Sequence, residues 1–250
     1  MVGSLMFRPV PNHRGALEPR EVEAAIRPAI VGAPRTALIC MENTHNREGG
    51  VALMPEQQDA IINLARKHGI ATHLDGARIF NASVALGIPV SRLTSTFTSM
   101  MFCLSKGLAA PVGSVVCGSK AFIEEARCYR RMLGGGMRQA GILAAAGIVA
   151  LTQMVGRLSE DHSCARLLAE VIADTPGLSI DLSTVQTNIV VFQIARPDMT
   201  AMDFQERLAA AGVKVMEYTG TSWLRACTHY GIVREDIDYA AQVIRQVMAG

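Results

Sequence analysis

Polar residues that a buried core cannot use follow three apolar stretches in the first half of the chain. The segment ENTHN occupies residues 42–46, DGAR occupies residues 75–78, and Ser105 stands beside Lys106. Together they offer an acid, a guanidinium group, an imidazole and a primary amine. A lysine can form a Schiff base with pyridoxal phosphate, and a carboxylate can keep the pyridine nitrogen of that cofactor protonated. These residue types therefore suit pyridoxal-phosphate chemistry.

Each of these residues taken alone also has an ordinary structural explanation. Asp75-Gly76 is a common turn pair, Lys106 could lie in a solvated loop, and His45 stands in a polar segment where a surface histidine needs no explanation. The three glycines at residues 134–136 indicate first of all a helix stop. Only their coincidence at successive strand ends favours a functional site.

The elements that must position these residues alternate between strand and helix. Apolar runs predict strands at residues 36–41, 70–74, 100–104 and 112–117, and helical patterns cover residues 55–68 and 121–133. In parallel sheets, ligands bind at the carboxyl ends of the strands. We therefore expect residues 42–46, 75–78 and 105–106 to converge on one crevice.

The second half predicts a smaller α+β unit. Two helices at residues 139–156 and 157–172 precede strands at 187–194, 213–217 and 222–227 and helices at 201–211 and 236–248. We expect a large domain over residues 1–160 and a small domain over residues 161–250. Residues 139–156 carry no charge and reach the length of a membrane span, but their Ala and Gly content favours a buried or interface helix.

Composition excludes several classes of protein. Half of the residues are apolar and only 18% are charged, which excludes a disordered chain. The 24 basic and 22 acidic residues leave a net charge of +2, so we expect no nucleic-acid partner and no membrane surface. The low charge suggests that another subunit covers part of the surface. Six scattered cysteines indicate buried thiols in a reducing compartment, hence a cytoplasmic protein, with a mitochondrial location left open.

Longer motifs carry a family resemblance over nearly the whole chain. MENTHNREGG, HLDGARIFNA, CLSKGLAAPVGSVVCGS and RRMLGGGMRQAGILAAAG follow one another in this order, and RLSEDHSCARLLAE, QTNIVVF and RACTHYGIVREDID come later. The set resembles the low-specificity L-threonine aldolases, a branch of the fold-type I pyridoxal-phosphate enzymes in the β-eliminating lyase superfamily. The resemblance implies an α/β fold-type I large domain, a small C-terminal α+β domain and a homo-oligomer, either a dimer or a tetramer. It also implies cleavage of L-threonine or L-allo-threonine to glycine and acetaldehyde.

The resemblance also implies roles for single residues in holding the cofactor. Lys106 stands at the position that forms the Schiff base with pyridoxal phosphate, and Asp75 at the position that bonds the pyridinium nitrogen. Arg78 stands on the side of the ring hydroxyl and of the substrate carboxylate.

Three further residues are implied on the substrate side. Arg225 matches the arginine that clamps the amino-acid carboxylate, a role suited to the planar guanidinium fork. His45 matches the histidine near the substrate hydroxyl, where it or a water that it holds helps to remove the hydroxyl proton. Arg138 lies in the GGGMRQ segment and is expected to line the site. No metal ligand is expected.

Family members also carry a segment before the point at which this match begins. The resemblance implies that this segment supplies a Ser-Gly-Thr phosphate cup, a histidine that stacks on the pyridine ring, and further strands. No Ser-Gly-Thr run occurs in this sequence, so we expect an N-terminally truncated large domain. Two alternatives stay open: another β-eliminating lyase of the same fold, and a catalytically impaired chain that acts, if at all, as a non-catalytic or dimerising partner.

Overall fold

A computed structural model describes residues 5–28, 30–32, 34–218 and 220–250. Within these ranges the chain forms ten strands and nine α-helices. The strands are β1 (Asn12–His13), β2 (Ala16–Leu17), β3 (Leu38–Glu42), β4 (Ala71–Asp75), β5 (Ser99–Cys103), β6 (Ser114–Gly118), β7 (Leu178–Ser179), β8 (Ile189–Ile194), β9 (Met216–Glu217) and β10 (Trp223–Cys227). The helices are α1 (Pro19–Ala25), α2 (Pro55–Lys67), α3 (Ile79–Leu86), α4 (Val90–Thr94), α5 (Lys120–Met132), α6 (Gly141–Val149), α7 (Leu158–Ala173), α8 (Ala201–Ala210) and α9 (Arg234–Ala249).

The first half folds around a four-stranded sheet in the order β3-β4-β5-β6. Strands β3, β4 and β5 run parallel, and β6 returns antiparallel to β5. Alternate residues such as Ile39, Leu74 and Phe102 point into one core, because successive side chains of a strand face opposite sides of its sheet. The predicted α/β class with a fold-type I large domain is confirmed by this architecture together with the structural relatives described below.

Helix α2 shows how the local sequence sets such an element. It begins with Pro55, whose missing N–H costs nothing at the first helical position. The side chain of Gln57 accepts a hydrogen bond from the backbone N–H of Met54 over 2.8 Å. Ile61 and Ala65 lie one helical turn apart and are fully buried. The helix therefore packs its apolar stripe against the sheet core.

The expectation of buried cysteines is wrong for most of the six. All six thiols are free, but Cys40 and Cys128 are exposed and only Cys164 is buried. Cys40 lies between Ile39 and Met41, whose side chains enter the core, so the strand alternation turns its thiol outward. Cys128 lies on α5, a helix that buries none of its residues.

The second half builds a separate apolar core around an antiparallel sheet in the order β7-β8-β10-β9. Phe192 of β8 and Phe204 of α8 are both fully buried, and their rings meet edge to face with centroids 6.3 Å apart. Such a geometry aligns the positive edge of one ring with the negative face of the other. One core thus spans residues between 22 and 158, and the other spans residues between 164 and 248.

The Ala-rich stretch at residues 139–156 does not form the single buried helix that we expected as one alternative. Helix α6 covers Gly141–Val149 and continues as a π-helical turn, Ala150–Met154. Ala150 is buried, whereas Ile142 and Ile148 are 77% and 63% exposed because no described residue covers that face. The interface alternative stays a prediction. No single described helix is long and apolar enough to cross a membrane; only the bent pair Gly141–Met154 and Leu158–Ala173, at 69°, passes that test together.

Candidate active site

The carboxyl ends of three parallel strands lie side by side in the first sheet. Glu42 at the end of β3 pairs with Asp75 at the end of β4, and Asp75 pairs with Met101 near the end of β5. The loops that follow these strands therefore start at the same edge, as the sequence predicts for residues 42–46, 75–78 and 105–106.

The loop after β5 presents Lys106 to solvent on a tightly packed base. Ser105 and Lys106 are exposed, while Gly107 is buried. A Cβ atom on Gly107 would lie 2.9 Å from Leu158 and 3.0 Å from the Oδ1 atom of Asn81. Only glycine allows this close approach, so the backbone beside the lysine is held in one position.

A cleft of about 430 Å³ lies between the Lys106 loop and the second sheet. Its lining residues are Arg78, Ser105, Lys106, Gly107, Ala109, Asn188, Arg225, Cys227, Thr228, His229 and Tyr230. Another depression, of about 410 Å³, is lined by Arg127, Cys128, Arg131 and Met132. All four belong to α5, so of these two cavities the first brings together groups from both halves of the chain.

Two arginines, Arg78 and Arg225, line this cleft. Burial lowers the pKa of Arg78; the thiol of Cys227 opposes that shift, and the positive charge of Arg225 adds to it. The Nε atoms of both guanidinium groups are buried and have no hydrogen-bond partner in the described chain. Arg78 donates instead to the Oδ1 atom of Asn46 over 3.3 Å.

Neither guanidinium group forms an ion pair with a carboxylate of the described residues. Two partly desolvated cations placed this close together repel each other and attract an anion. The cleft is therefore arranged to receive a carboxylate or a similar anionic group.

One carboxylate oxygen of Asp75 accepts a hydrogen bond in the turn, and the other accepts none from the described chain. Its Oδ1 atom accepts the backbone N–H of Ala77 over 3.0 Å, which is the ordinary turn role of an aspartate after a strand. Within the part of the chain that the structure describes, its Oδ2 atom has no hydrogen bond. The turn role and a role toward a cofactor are thus compatible.

His45 lies in the loop after β3, next to the arginine contact. Its Nε2 atom is 3.8 Å from Glu42, and its Nδ1 atom is buried without a hydrogen-bond partner among the described residues. Gly15 packs against its Cβ atom so closely that a side chain there would clash at 2.6 Å. The imidazole is held in place but is not among the groups that line the cleft.

Arg138 is not brought to the cleft by this chain. It is exposed in the segment between α5 and α6, beside Gln139, whose φ of 50° turns the backbone before the next helix begins. Asp75 is also outside the lining residues. Of the residues singled out from the sequence, the cleft itself therefore unites Arg78, Lys106 and Arg225.

Several buried polar atoms lack a hydrogen-bond partner in the described chain, and one of them belongs to a residue that the sequence reasoning missed. Besides the two arginines and His45, the buried atoms without a partner in the described chain include the Oγ1 atom of Thr44 and the hydroxyl of Tyr218. Burial raises the pKa of Tyr218, and the charge of Arg225 opposes that shift. Tyr218 follows a two-residue strand, so no motif or periodicity singled it out.

Asn188 and Thr228 are two further cleft residues that sequence reasoning missed. They lie in QTNIVVF and RACTHYGIVREDID, motifs that carried the family resemblance without a role for either residue. Each of these polar residues stands directly beside an apolar strand, and this position was the sequence signal that could have pointed to them.

The donor groups in the cleft, together with Asp75 outside its lining, fit pyridoxal phosphate. Lys106 offers an exposed primary amine, Asp75 offers a carboxylate oxygen without a hydrogen bond in the described chain, and two arginines without a carboxylate partner there offer positive charge. A cofactor with a carbonyl group and a pyridine nitrogen, bound to an amino acid with a carboxylate, needs these groups.

Comparisons with known proteins place the chain in a family. The model of the beta-eliminating lyase family matches residues 1–195. Low-specificity L-threonine aldolase 1 of Arabidopsis thaliana is 39% identical over 251 residues, which cover 99% of this chain and 70% of that protein. Low specificity L-threonine aldolase of Escherichia coli K12 is 36% identical over 250 residues, which cover 100% of this chain and 72% of that protein.

Solved structures show the same fold at lower identity. A putative L-allo-threonine aldolase from Listeria monocytogenes superposes with a TM-score of 0.75 at 16% identity, covering 95% of this chain and 67% of that one. A pyridoxal-phosphate-dependent aminotransferase from Streptococcus suis superposes with a TM-score of 0.70 at 18% identity, covering 93% and 61%. With the family model and the curated relatives, these findings establish that the chain belongs to the low-specificity L-threonine aldolase family of the beta-eliminating lyases.

Proposed function

We propose that this chain cleaves L-threonine and L-allo-threonine at the cleft between Lys106 and Arg225. The family makes the chain a pyridoxal-phosphate-dependent lyase, and its products are glycine and acetaldehyde. The observation that carries the site assignment is the pair Arg78 and Arg225, two desolvated cations without a carboxylate partner in the described chain, beside an exposed lysine.

Two residues would hold the cofactor. Lys106 presents a primary amine that can bind its carbonyl group, and the Oδ2 atom of Asp75 can accept the hydrogen of the protonated pyridine nitrogen. When bound, pyridoxal phosphate supplies an electron-poor ring that accepts the electron pair left on the substrate Cα.

The two arginines orient the amino acid. Arg225 can hold the substrate carboxylate through two parallel N–H groups, and Arg78 faces the same space with a buried Nε–H that has no protein partner in the described chain. A carboxylate between them removes their mutual repulsion. It also fixes the direction of the Cα–Cβ bond relative to Lys106.

His45 moves the proton that starts the cleavage. Its Nδ1 atom is buried without a hydrogen-bond partner in the described chain, and its Nε2 atom lies 3.8 Å from Glu42. His45, or a water that it holds, takes the proton of the β-hydroxyl group, and the Cα–Cβ bond then breaks. The hydroxyl carbon leaves as acetaldehyde, and Cα receives a proton to give glycine.

Three further parts of the proposal concern the whole chain. Arg138 is proposed as a contributor to the substrate site, and the chain is proposed to divide near residue 160 into a large and a small domain. A homo-oligomer is supported by exposed apolar residues on α6, including Ile142 and Ile148. The six free cysteines support a cytoplasmic location.

Lys106→Ala provides the test of this function. Purified protein mixed with pyridoxal phosphate should develop a visible absorbance band, and L-threonine should change the band while acetaldehyde is released. The variant should lose both signals because it lacks the amine that binds the cofactor carbonyl. Lys120→Ala, on the exposed helix α5, is the matched control and should keep both.

The proposed function is wrong if the wild-type protein forms no absorbance band with the cofactor. It is also wrong if threonine yields a keto acid and ammonia in place of glycine and acetaldehyde, which is the outcome for another β-eliminating lyase.

A further inference from the structure

A buried chain of hydrogen bonds connects the two halves of the molecule beneath the cleft. The amide nitrogen of Asn81 on α3 lies 3.0 Å from the Nε2 atom of His162 on α7 and 3.4 Å from the Oδ1 atom of Asn188. Asn188 in turn donates to the carbonyl of Thr228 over 2.8 Å. Asn81, Asn188 and Thr228 are at most 3% exposed, so water does not compete for these bonds.

The neutral imidazole of His162 decides which groups donate and which accept in this hydrogen-bond network. Burial lowers the pKa of His162 from its ordinary value of 6.5 to about 4, so the ring is uncharged at neutral pH. Because Asn81 approaches with its NH₂ group, Nε2 must be the acceptor and the ring proton sits on Nδ1. An acceptor here turns the Asn81 amide so that its second N–H points to Asn188.

The hydrogen-bond network contacts both sides of the cleft. Asn188 and Thr228 line it, and Thr228 follows Arg225 by three residues on the same segment. On the other side, Asn81 packs directly on Gly107, the neighbour of Lys106, where a Cβ would come within 3.0 Å of its Oδ1 atom. A shift of Asn81 or Asn188 would therefore change the spacing of Lys106 and Arg225.

Two further hydrogen bonds hold Thr228 in place, and one of them goes to the first turn of α7. The Thr228 hydroxyl donates to the carbonyl of Asp161 over 2.6 Å, and its backbone N–H donates to the carbonyl of Asn188 over 3.0 Å. The carboxylate of Asp161 is fully buried and pairs with Arg157, whose guanidinium lies 5.1 Å from the centre of the Tyr230 ring. Tyr230 is itself a cleft residue.

We propose that His162 is a positioning residue for threonine cleavage: its Nε2 lone pair aligns Asn81, Asn188 and Thr228 and so sets the distance between Lys106 and Arg225. The inference rests on the proposed function, because it assigns Lys106 to the cofactor and Arg225 to the substrate carboxylate. His162 itself does not line the cleft, so it acts through its neighbours.

His162→Leu and His162→Gln form the matched pair that tests this. Leucine removes the acceptor and leaves an Asn81 N–H unpaired, whereas the Oε1 atom of glutamine can stand in for Nε2. We expect His162→Leu to raise KM for L-threonine by roughly tenfold or more, with kcat within about threefold of wild type. His162→Gln should restore KM to within about threefold, and the affinity for pyridoxal phosphate, measured by absorbance titration, should change little in either variant.

If His162 only stabilised the fold, the two His162 variants would give a different result. His162→Leu would lower the melting temperature and the active fraction while leaving KM of the folded protein unchanged, and glutamine would not rescue them. A wild-type KM in His162→Leu, or equal rises in both variants, overturns the proposal. If His162→Leu does not fold, Asn81→Leu takes its place, since leucine has a similar shape but cannot donate to His162, and the same rise in KM is expected.

Hydrogen exchange separates this inference from the proposed function. The Thr228 amide, which donates to Asn188, should exchange faster in His162→Leu than in wild type or in His162→Gln. If the wild-type chain does not cleave threonine, the proposed function fails while the exchange result still decides the alignment of the network. Unchanged protection of Thr228 in His162→Leu overturns the proposal by itself.

Discussion

The charges of Arg78 and Arg225 are the strongest chemical feature of single residues in this protein. Each guanidinium keeps a buried Nε–H without a partner in the described chain, and Arg225 contributes to the lowered pKa of Arg78. Buried polar groups are ordinarily satisfied, and an exception points to a ligand that the protein is built to bind. The carboxylate of an amino acid is the ligand that we propose for these two groups.

Arg225→Ala should weaken threonine binding far more than cofactor binding. Removing one partner of a desolvated charge-assisted pair costs about 2–5 kcal/mol, which corresponds to a rise in KM of roughly thirtyfold or more. Steady-state kinetics give KM, and absorbance titration gives the affinity for pyridoxal phosphate. Arg225→Lys keeps the charge without the fork and should fall between wild type and alanine; equal loss of both affinities in Arg225→Ala would contradict the carboxylate role.

At the scale of elements, the loops after parallel strands and the short helices around them decide where the chemistry lies. The predicted strands at residues 70–74 and 100–104 differ from β4 and β5 by one residue at each end, because a strand boundary depends on pairing partners as well as on apolarity. Helices α3 and α4 were not predicted at all. Both are short, so their period is hard to detect, and tertiary packing stabilises them.

The predicted strand at residues 213–217 is mostly irregular in the structure. Only Met216 and Glu217 pair with β10, so β9 contains two residues. The hairpin that follows carries Tyr218, whose backbone N–H donates to the carbonyl of Trp223 over 2.9 Å. The sequence therefore predicted the strand that carries Arg225 but did not indicate Tyr218 beside it.

Helix α8 offers a test of local sequence control over an element. The hydroxyl of Thr200 accepts the backbone N–H of Asp203 over 3.1 Å, and the carboxylate of Asp203 accepts the backbone N–H of Thr200 over 3.1 Å. Thr200→Ala should lower the free energy of unfolding by about 1 kcal/mol, measured by urea denaturation. Thr200→Ser keeps the hydroxyl and should cost less than half as much; an alanine variant as stable as wild type would show that the cap contributes nothing.

At the scale of the whole molecule, two apolar cores meet at a polar seam. The core around Leu74 and the core around Phe192 are joined by α7, by the His162 network and by a hydrogen bond from Thr187 to the carbonyl of Gly50 over 2.8 Å. The chain spans 70% of the Arabidopsis relative and 72% of the Escherichia coli relative. The candidate cleft lies at this seam, so its geometry depends on how the two cores sit together.

The stability of the molecule should fall as the pH drops through the range in which His162 titrates. Burial holds the pKa of His162 at about 4, below its ordinary value of 6.5, so the unfolded chain takes up a proton first. The stabilising effect of the neutral imidazole is fully present above about pH 6.5 and is lost as the pH falls through about 4. Urea denaturation at several pH values, compared with His162→Gln, isolates this effect; parallel stability profiles of the two proteins would contradict it.

The sequence by itself determined the family and the cofactor class, and it predicted Lys106 as the reactive amine. Its motifs carry Asp75, Lys106 and Arg225 in this order, and apolar runs place the first two after strands. These features are local, because a strand end or a turn depends on the residues next to it.

Only the tertiary structure decided which of these groups share the cleft and what holds them there. It brought Arg78 and Arg225, which are 147 positions apart (225 − 78), to one cleft and left His45 and Arg138 outside the lining. It also placed the half-buried His162 within 3.0 Å of Asn81. Contacts between residues so far apart follow from how two cores pack against each other. No local pattern encodes that arrangement, since burial and charge–charge distances exist only in the folded chain.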